Sequence, residues 1–554
     1  MKRRKYDWIS LRFLIASFLF IALFIPVFFR SFQLAKEKKN TSLSLNLFRP
    51  IPTLRGNIYV QDKEKNLYPV ALTKINYDVY FAPFLSKNPE KDWEEISMFI
   101  KQDKKPTFDS KSSILLAKNI DSDLMEKLTN LRLNSVFFEP RLVRIYPHKE
   151  FLEPVLGFAA YDQEKRQLRG IYGIEKFYDE FLKGSEGILQ KVGIFSLPER
   201  GADIILTIDF YVQRAIEEIL SKAVEEYKAE GGLIVVADLE DGSIKGLAEL
   251  PKYDPNKYYE IKDYSIFNTK FTENFEPGSI IKPITFFSAL KYKAIDPMEV
   301  YEDTGQIVID GWTIRNFDNK RRGIIPYREA LVQSLNVGLA KIALQLGKNR
   351  LISTYNDFRI SEPPLLDLPN LSKPNYQNLT KKHFRQVNLA TISFGQGIAF
   401  SPAKLLEIYS AFALNGKMLS FHFGDTIIYP NQVKEKIKYK QVLKNIGEEK
   451  VFEKMKELLE SVVKEQAKKA DIPEFRIAGK TGTAYIPKEG GYSDEVITSF
   501  IAFFPVSKPK FLVMVKIDKP AKGLLALGTA TPTFRKVAEF LIKYYNLEPD
   551  ALIK

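Results

Sequence analysis

Residues Phe13 to Phe29 (FLIASFLFIALFIPVFF) contain no charged side chain, and this run constrains the chain more than any other feature. Extended back to Trp8 it reaches about 22 residues, roughly 33 Å of helix at 1.5 Å per residue, enough to cross a bilayer. A cleaved signal peptide and a buried core helix are the competing readings. The run is long for a signal core, and no small-x-small cleavage site follows, since Gln33 and Leu34 precede Ala35. An uncleaved anchor over residues 9–29 is expected, after a cytoplasmic stub at 1–8. Lys2, Arg3, Arg4, Lys5 and Arg12 outnumber Arg30, Lys36, Lys38 and Lys39, which favours a cytoplasmic N-terminus. No second span of this quality follows, so nearly all the remaining chain is expected on the outer side.

A chain of 554 residues has room for three or four domains, or two large ones. With 45% hydrophobic and 27% charged residues, most of it should bury sizeable cores. The formal charge of +14 is compatible with nucleic acid, anionic lipid or an anionic polymer. No arginine cluster interleaved with aromatics appears, so a solvated surface rich in Lys and Glu explains the excess. Cysteine is absent, which removes disulfides, cysteine nucleophiles and cysteine-ligated zinc. His148, His383 and His422 lie far apart, which argues against a Ser-His-Asp triad or a multi-histidine metal site. Acyl-transfer chemistry here would need another base, and lysine is plentiful.

No internal repeat or low-complexity tract is evident. Residues 30–54 read as a tether. Residues 55–200 mix short strands and amphipathic helices; Ile174, Phe177, Tyr178, Phe181 and Leu182 form one helical stripe ended by Gly184. A second block spans 201–548. It opens with a strand (ADIILTI), then a helix capped by Asp209 with Val212, Ala215, Ile216, Ile219 and Leu220 on one face. GGLIVVADLEDGSIKGLAEL reads as a hairpin around Asp241-Gly242. ITSFIAFFPV and KFLVMVKID read as strands, and a last helix is expected over 532–545 with Thr531 as cap and Pro532 at its first position. Sheet elements at both ends with a mostly helical middle predict an α+β layout.

Three motifs could carry chemistry. In Glu276-Pro277-Gly278-Ser279-Ile280-Ile281-Lys282-Pro283 a Pro-Gly turn opens a helix expected to begin near Ser279, because Pro283 is tolerated only in the first turn. Ser279 and Lys282 then share a helix face, with serine at the end favouring negative charge. This arrangement suits a nucleophile with a lysine base and an oxyanion site. S-x-x-K alone means little, since Ser288-Lys291, Ser401-Lys404, Ser461-Lys464 and Ser507-Lys510 match it too; only Ser279 follows Pro-Gly and opens a helix. Ser334-Leu335-Asn336 precedes an apolar helix, where a helix cap is the plain alternative. S-x-N also occurs at Ser44-Asn46 and Ser86-Asn88. Lys480-Thr481-Gly482-Thr483 is the chain's only K-[ST]-G and reads as a strand whose glycine permits close approach of another backbone. A P-loop would need glycine where Glu474 stands.

The three motifs in this order match the set of penicillin-binding proteins and class A β-lactamases. The chain resembles a class B penicillin-binding protein, a peptidoglycan D,D-transpeptidase, most of all the cell-division branch. Arg55-Gly56-Asn57-Ile58, Arg144-Ile145-Tyr146-Pro147 and Gly173-Ile174-Glu175-Lys176-Phe177-Tyr178-Asp179 are similar to the family's N-terminal module. Leu206-Thr207-Ile208-Asp209 with Gln213, Pro251-x-Tyr253-Asp254-Pro255-Asn256, Phe394-Gly395-Gln396-Gly397 and Gly490-Gly491-Tyr492-Ser493 are similar to its transpeptidase domain, and the run from Ser499 to Pro520 points to the division branch. Two departures stand out: Leu335 replaces the serine frequent in relatives, and Gln61-Asp62-Lys63-Glu64 replaces Asp-Arg-x-Gly, which puts that loop in doubt.

The resemblance implies a transpeptidase fold, an antiparallel sheet packed with helices plus a helical subdomain, preceded by an elongated mixed α/β pedestal or dimerisation-like module. It implies Ser279 as nucleophile, Lys282 as its base, Ser334 as proton relay and Asn336 as a donor-binding and positioning group. Lys480, Thr481 and Thr483 would hold the terminal carboxylate, with Gly482 opening the strand to substrate. Lys282 must be neutral, so burial and Lys480 must lower its pKa. No metal or cofactor is implied. The implied partners are D-Ala-D-Ala stem peptides, an amine acceptor strand, β-lactams, a membrane-embedded glycosyltransferase and other division proteins. Rival readings are a side-wall transpeptidase, a D,D-carboxypeptidase or β-lactamase, and a silent divisome scaffold. The Glu-x-x-Leu-Asn base of class A lactamases is absent between Asn336 and Lys480.

Overall fold

The computed structural model describes residues 53–101, 106–108, 112–162, 167–185, 188–189, 195–196, 199–380 and 384–551. The anchor expected at 9–29, nearly all of the tether, Ser44-Asn46 and His383 lie outside them. Among the described residues no helix is long and apolar enough to cross a membrane. The chain divides into two compact units. In the smaller, the described residues are Ile188–Leu189 and Phe195–Ser196, which pair antiparallel. The larger, 52–185 with 199–554, holds everything below.

Strands Ile58–Gln61 (β1), Leu67–Phe81 (β2), Ile114–Ile120 (β3), Val136–Ile145 (β4) and Asp203–Asp209 (β5) build a seven-stranded sheet with Gly424–Ile428 and Lys434–Lys436. β5 pairs parallel with β1 and antiparallel with Gly424–Ile428. One sheet therefore joins the start of the chain to the far C-terminal half, a pairing no local pattern could announce. It is tied down by buried ions. Arg55 Nε donates to Glu175 Oε2 at 2.8 Å and Arg144 Nε to Glu175 Oε1 at 2.7 Å, with Arg55 also bonded to Asp179 at 2.5 Å. Burial alone would raise the Glu175 pKa, but Arg144 and Arg55 more than offset it and hold the carboxylate below its ordinary value.

The Asp62 loop, which departs from the family pattern, closes on itself. Asp62 accepts from the Glu64 and Asn66 N–H groups, both at 2.9 Å, and from the Tyr68 hydroxyl. The stripe expected at 174–182 is instead two short helices, Gly173–Phe177 and Asp179–Leu182, broken at Tyr178. Ile174, Tyr178 and Leu182 are buried as expected, but Phe177 and Phe181 are exposed. The i, i+4, i+8 row faces the core, while the i+3, i+7 row is partly exposed, with Phe177 and Phe181 each against the Tyr178 ring.

Helix α1 (Phe210–Glu226) follows, its first amides at Tyr211 and Val212 capped by Asp209. Strands β6 (Gly231–Asp238) and β7 (Ile244–Leu250) form the expected hairpin, with Gly242 at φ +80°. They join Ala478–Lys488 (β8), Gly491–Phe504 (β9) and Phe511–Asp518 (β10) in an antiparallel sheet of order β7-β6-β10-β9-β8. Its residues alternate between two cores, as strand geometry requires. Leu233, Val235, Ile501 and Phe503 face one; Ile234, Val236, Phe500 and Ala502 face the other. The second core is closed by α1 and by helix Ala530–Tyr545. That helix starts two residues before the expected Pro532, at Ala530, with Thr529 rather than Thr531 at its cap position. Proline is still in the first turn, where its missing N–H costs no hydrogen bond. The first core contains helix α2 (Lys282–Lys291), α3 (Asn336–Leu346) and α4 (Pro402–Ala413). β8 is the sheet's edge, packed against helix Glu449–Glu465.

Candidate active site

Ser279 lies in a 3₁₀ turn, Gly278–Ile281, that runs into α2 at Lys282. The regular helix thus begins three residues later than expected, with Pro283 in its first turn. The turn packs against β8. Glycines make that approach possible. A Cβ on Gly482 would sit 2.9 Å from Ile280 Cγ2 and 3.1 Å from the Pro277 carbonyl oxygen. Gly395, at φ +89°, lies so close that a Cβ would come 2.1 Å from the Gly278 carbonyl oxygen, and its own carbonyl accepts from Gly278 N at 3.2 Å. The buried Tyr409 hydroxyl donates to the Ile280 carbonyl at 2.7 Å. The serine turn is therefore clamped from three sides, and Ser279 itself is half-buried.

Lys282 is fully buried and its ammonium position has three acceptors: Ser334 O at 2.6 Å, Asn336 Oδ1 at 2.9 Å and Ser334 Oγ at 3.1 Å. None is a carboxylate. Burial first, and Lys480 second, push its pKa well below the ordinary lysine value. Lys480, also fully buried, is lowered to about 7 by burial, and its Nζ lies 3.4 Å from the Thr481 carbonyl. Both amines are buried, and neither has a carboxylate partner among the described residues. An incoming anion would be drawn to them.

Ser334 is not a helix cap. It adopts φ +62°, a strained left-handed conformation for a residue with a side chain, and α3 starts after Leu335 with no side-chain cap. The strain aims both its oxygens at Lys282. Asn336, the first residue of α3, turns its Oδ1 to Lys282 and donates from Nδ2 to the Arg315 carbonyl at 3.0 Å. Thr481 and Thr483 alternate with buried Lys480 and Gly482 along β8 and remain half-exposed. The eight expected residues thus come from three segments that meet around Lys282. Three of the four other S-x-x-K serines have ordinary duties: Ser288 Oγ bonds Thr354, Ser401 caps α4 and Ser461 bonds the Glu457 carbonyl.

Three supports were not read from the sequence as contacts, although Glu276, Gly397 and Tyr492 each belong to a motif picked out in the sequence. Glu276 accepts from Gly397 N at 3.0 Å and from the Tyr492 hydroxyl at 3.1 Å, joining the nucleophile turn to two distant loops. Burial raises its pKa. Asn316 accepts from Val337 N at 3.1 Å and donates to both oxygens of the buried Asp303. Tyr409 is the third.

The family model described as Penicillin binding protein transpeptidase domain matches residues 232–539. The chain belongs to this family. A second, Penicillin-binding Protein dimerisation domain, matches residues 36–192. The transpeptidase domain and the region before it are both covered by similar proteins. Peptidoglycan D,D-transpeptidase FtsI of Buchnera aphidicola is 28% identical over 508 residues, 89% of this chain and 83% of that protein. Stage V sporulation protein D of Bacillus subtilis is 28% identical over 90% of this chain and 79% of that protein. The crystal structure of penicillin binding protein 3 from Mycobacterium tuberculosis, complexed with aztreonam, shares the fold. Its TM-score is 0.70 at 19% identity, covering 91% of this chain and 98% of that one.

Proposed function

We propose that this chain is a class B peptidoglycan D,D-transpeptidase that crosslinks stem peptides in septal wall synthesis and is acylated by β-lactams. The family membership and the FtsI relatives support the reading. The observation that carries it is Lys282: a fully buried amine beside Ser334 and Asn336, with a depressed pKa, three residues after a serine at a helix entrance. A neutral amine is what an otherwise unreactive hydroxyl needs as its base.

Ser279 Oγ attacks the carbonyl of the penultimate D-Ala as Lys282 takes its proton. Ser334 relays a proton to the departing terminal D-Ala amine as the peptide C–N bond breaks. Backbone N–H groups of Ser279 and Thr483 stabilise the oxyanion, a contribution of roughly 3 kcal/mol per donor. Lys480, Thr481 and Thr483 hold the terminal carboxylate, Gly482 admits the substrate backbone, and Asn336 binds the donor amide while positioning Lys282. A second stem peptide's amine then attacks the acyl-enzyme and releases Ser279. The division into stub 1–8, anchor 9–29, tether 30–54, non-catalytic module 55–200 and transpeptidase domain 201–548 belongs to this reading. So do a cytoplasmic N-terminus, a catalytic domain outside the inner membrane, and partnership with a membrane-embedded glycosyltransferase.

Fluorescent penicillin tests the reading. The full chain should carry covalent label that Ser279→Ala abolishes. Absence of label on the wild type, or equal label on the variant, refutes it.

A further inference from the structure

Glu153 opens a short helix, Glu153–Leu156, in the region matched by the dimerisation-domain family model, and lies where that region meets α1 and β7. It is 1% exposed, yet its Oε1 has no hydrogen-bond partner among the described residues, and the donor acting on the carboxyl is its own backbone N–H. Two more buried carboxyls lie alongside. Glu217 of α1 accepts from Leu152 N at 3.2 Å and from Gln213 Nε2 at 2.8 Å, which ties α1 to the residue before Glu153. Glu249 of β7 accepts from the Thr269 hydroxyl, from Lys270 N at 2.9 Å and from Phe271 N at 3.0 Å. The cation acting on Glu153 is Lys252, whose Nζ is already 3.7 Å from Glu217 Oε2. Arg214, over the Phe151 and Phe210 rings, adds a weaker pull on Glu217; Lys270 acts on Glu249 but is paired with Asp518 at 2.7 Å. The other ionisable neighbours are three. The Tyr253 hydroxyl donates to the Glu153 carbonyl at 3.1 Å. Helix Gly173–Phe177, packed against the same turn, brings Glu175, neutralised by Arg55 and Arg144, and an exposed Lys176.

We propose that Glu153 is a neutral carboxylic acid in the folded protein and that its ionisation loosens this junction, a proton-operated latch between the N-terminal region and the transpeptidase domain. The latch does not depend on the acyl-transfer reading. Ionising all three carboxyls would crowd negative charge into a dry interface that Lys252 alone cannot balance, and an unpaired buried charge is costly enough that the group keeps its proton instead. Glu217 and Glu249 each have several donors, which stabilise their anions. Glu153 has no such set, so the proton resides there. Burial, ahead of any neighbouring charge, holds its pKa well above the ordinary carboxyl value. A carboxyl raised on folding contributes fully below its unfolded value near 4.3, and that contribution is lost as pH rises through the folded value. Above that point an unpartnered anion sits under the helix, and the contact opens to let water reach it. Glutamine cannot ionise, so Glu153→Gln holds the latch shut.

Hydrogen–deuterium exchange on the full chain tests the latch. The amides of Leu152, Val155, Leu156 and Gly157, all hydrogen-bonded, are followed in wild type and Glu153→Gln at pH 6 and pH 9. The readout is the ratio of the wild-type rate to the variant rate at each pH. The same amides are compared, so the intrinsic chemistry of exchange cancels, as does any fixed destabilisation from the substitution. The ratio should rise at least tenfold from pH 6 to pH 9, since each pH unit between the open and closed pKa values multiplies opening by about ten. Infrared spectra give a second measurement. At pH 7 the wild type should show a neutral-carboxyl C=O band that Glu153→Gln removes. An equal ratio at the two pH values, or a wild-type spectrum without that band, overturns the latch. A band that survives Glu153→Gln puts the proton on another carboxyl and overturns it too.

Discussion

Lys282 and Lys480 set the residue-scale behaviour, because both are charged groups by nature placed where charge is costly. Lys480 must be cationic to hold a carboxylate, and in the free protein its pKa is about 7. The second-order acylation rate by a carboxylate-bearing β-lactam should therefore fall about tenfold per pH unit above that point, since this rate reports the free enzyme's ionisations. It should level off below it until Lys282 protonates. A rate that keeps rising to pH 9 would contradict this assignment. The same shift has a sign in stability. Folded Lys480 loses its proton near 7, while unfolded lysine keeps it to about 10.4, so unfolding takes up a proton between these values and stability rises with pH there. Lys480→Met should thus be more stable than wild type near pH 7. The gap should narrow by about 1.4 kcal/mol per unit above it, measured by denaturant unfolding.

At the scale of elements, the nucleophile turn depends on glycines at Gly395 and Gly482. Gly395→Ala forces a left-handed backbone onto a side chain and drives a methyl group into the Gly278 carbonyl. Label by fluorescent penicillin should fall at least tenfold, with the circular dichroism spectrum retained, because the clash lies at the serine turn rather than in the sheet. Removing a helix cap is the contrasting case. Asp209→Ala leaves the Tyr211 and Val212 amides and the Tyr544 and Tyr545 hydroxyls without this acceptor and should cost about 2 kcal/mol of stability in denaturant unfolding without altering acylation. Both outcomes follow from where each element ends. The cap of α1 was readable from Asp209 and the apolar periodicity after it. The Gly395 contact was not, since its partner is more than a hundred positions away.

For the whole molecule, the Arg55–Glu175–Arg144 cluster ties segments from across the N-terminal half to the sheet that continues into the C-terminal half. Glu175→Gln leaves the buried Arg144 guanidinium without its anion and Arg55 with Asp179 alone, and should destabilise the chain by about 3 kcal/mol. Acid has the same effect more gradually. The Glu175 pKa is lowered on folding, so its contribution is fully present above the unfolded value near 4.3 and is lost as pH falls through the folded one. Melting temperature against pH should show the loss in wild type and not in Glu175→Gln. The cluster's members were visible as family-like motifs, but their mutual contact was not. Nor was the seven-stranded sheet, which pairs β5 with both β1 and residues 424–428.

Local chemistry determined a good deal before any coordinates. The apolar runs at 497–506 and 510–518 read as strands, GGLIVVADLEDGSIKGLAEL at 231–250 as a hairpin, and the order of three short motifs picked out eight candidate site residues. Each of these is a property of neighbours in the chain. The structure extends the first strand back to Gly491 and ends it at Phe504. Tertiary structure decided the rest: that Lys282 meets Ser334 and Asn336 rather than solvent, that Lys480 lies close enough to lower its pKa, and that Phe317 lies against Tyr485. Desolvation and long-range contact depend on what the packed chain brings alongside a residue, and residues 52 to 198 positions apart in sequence carry no periodic trace of such a meeting.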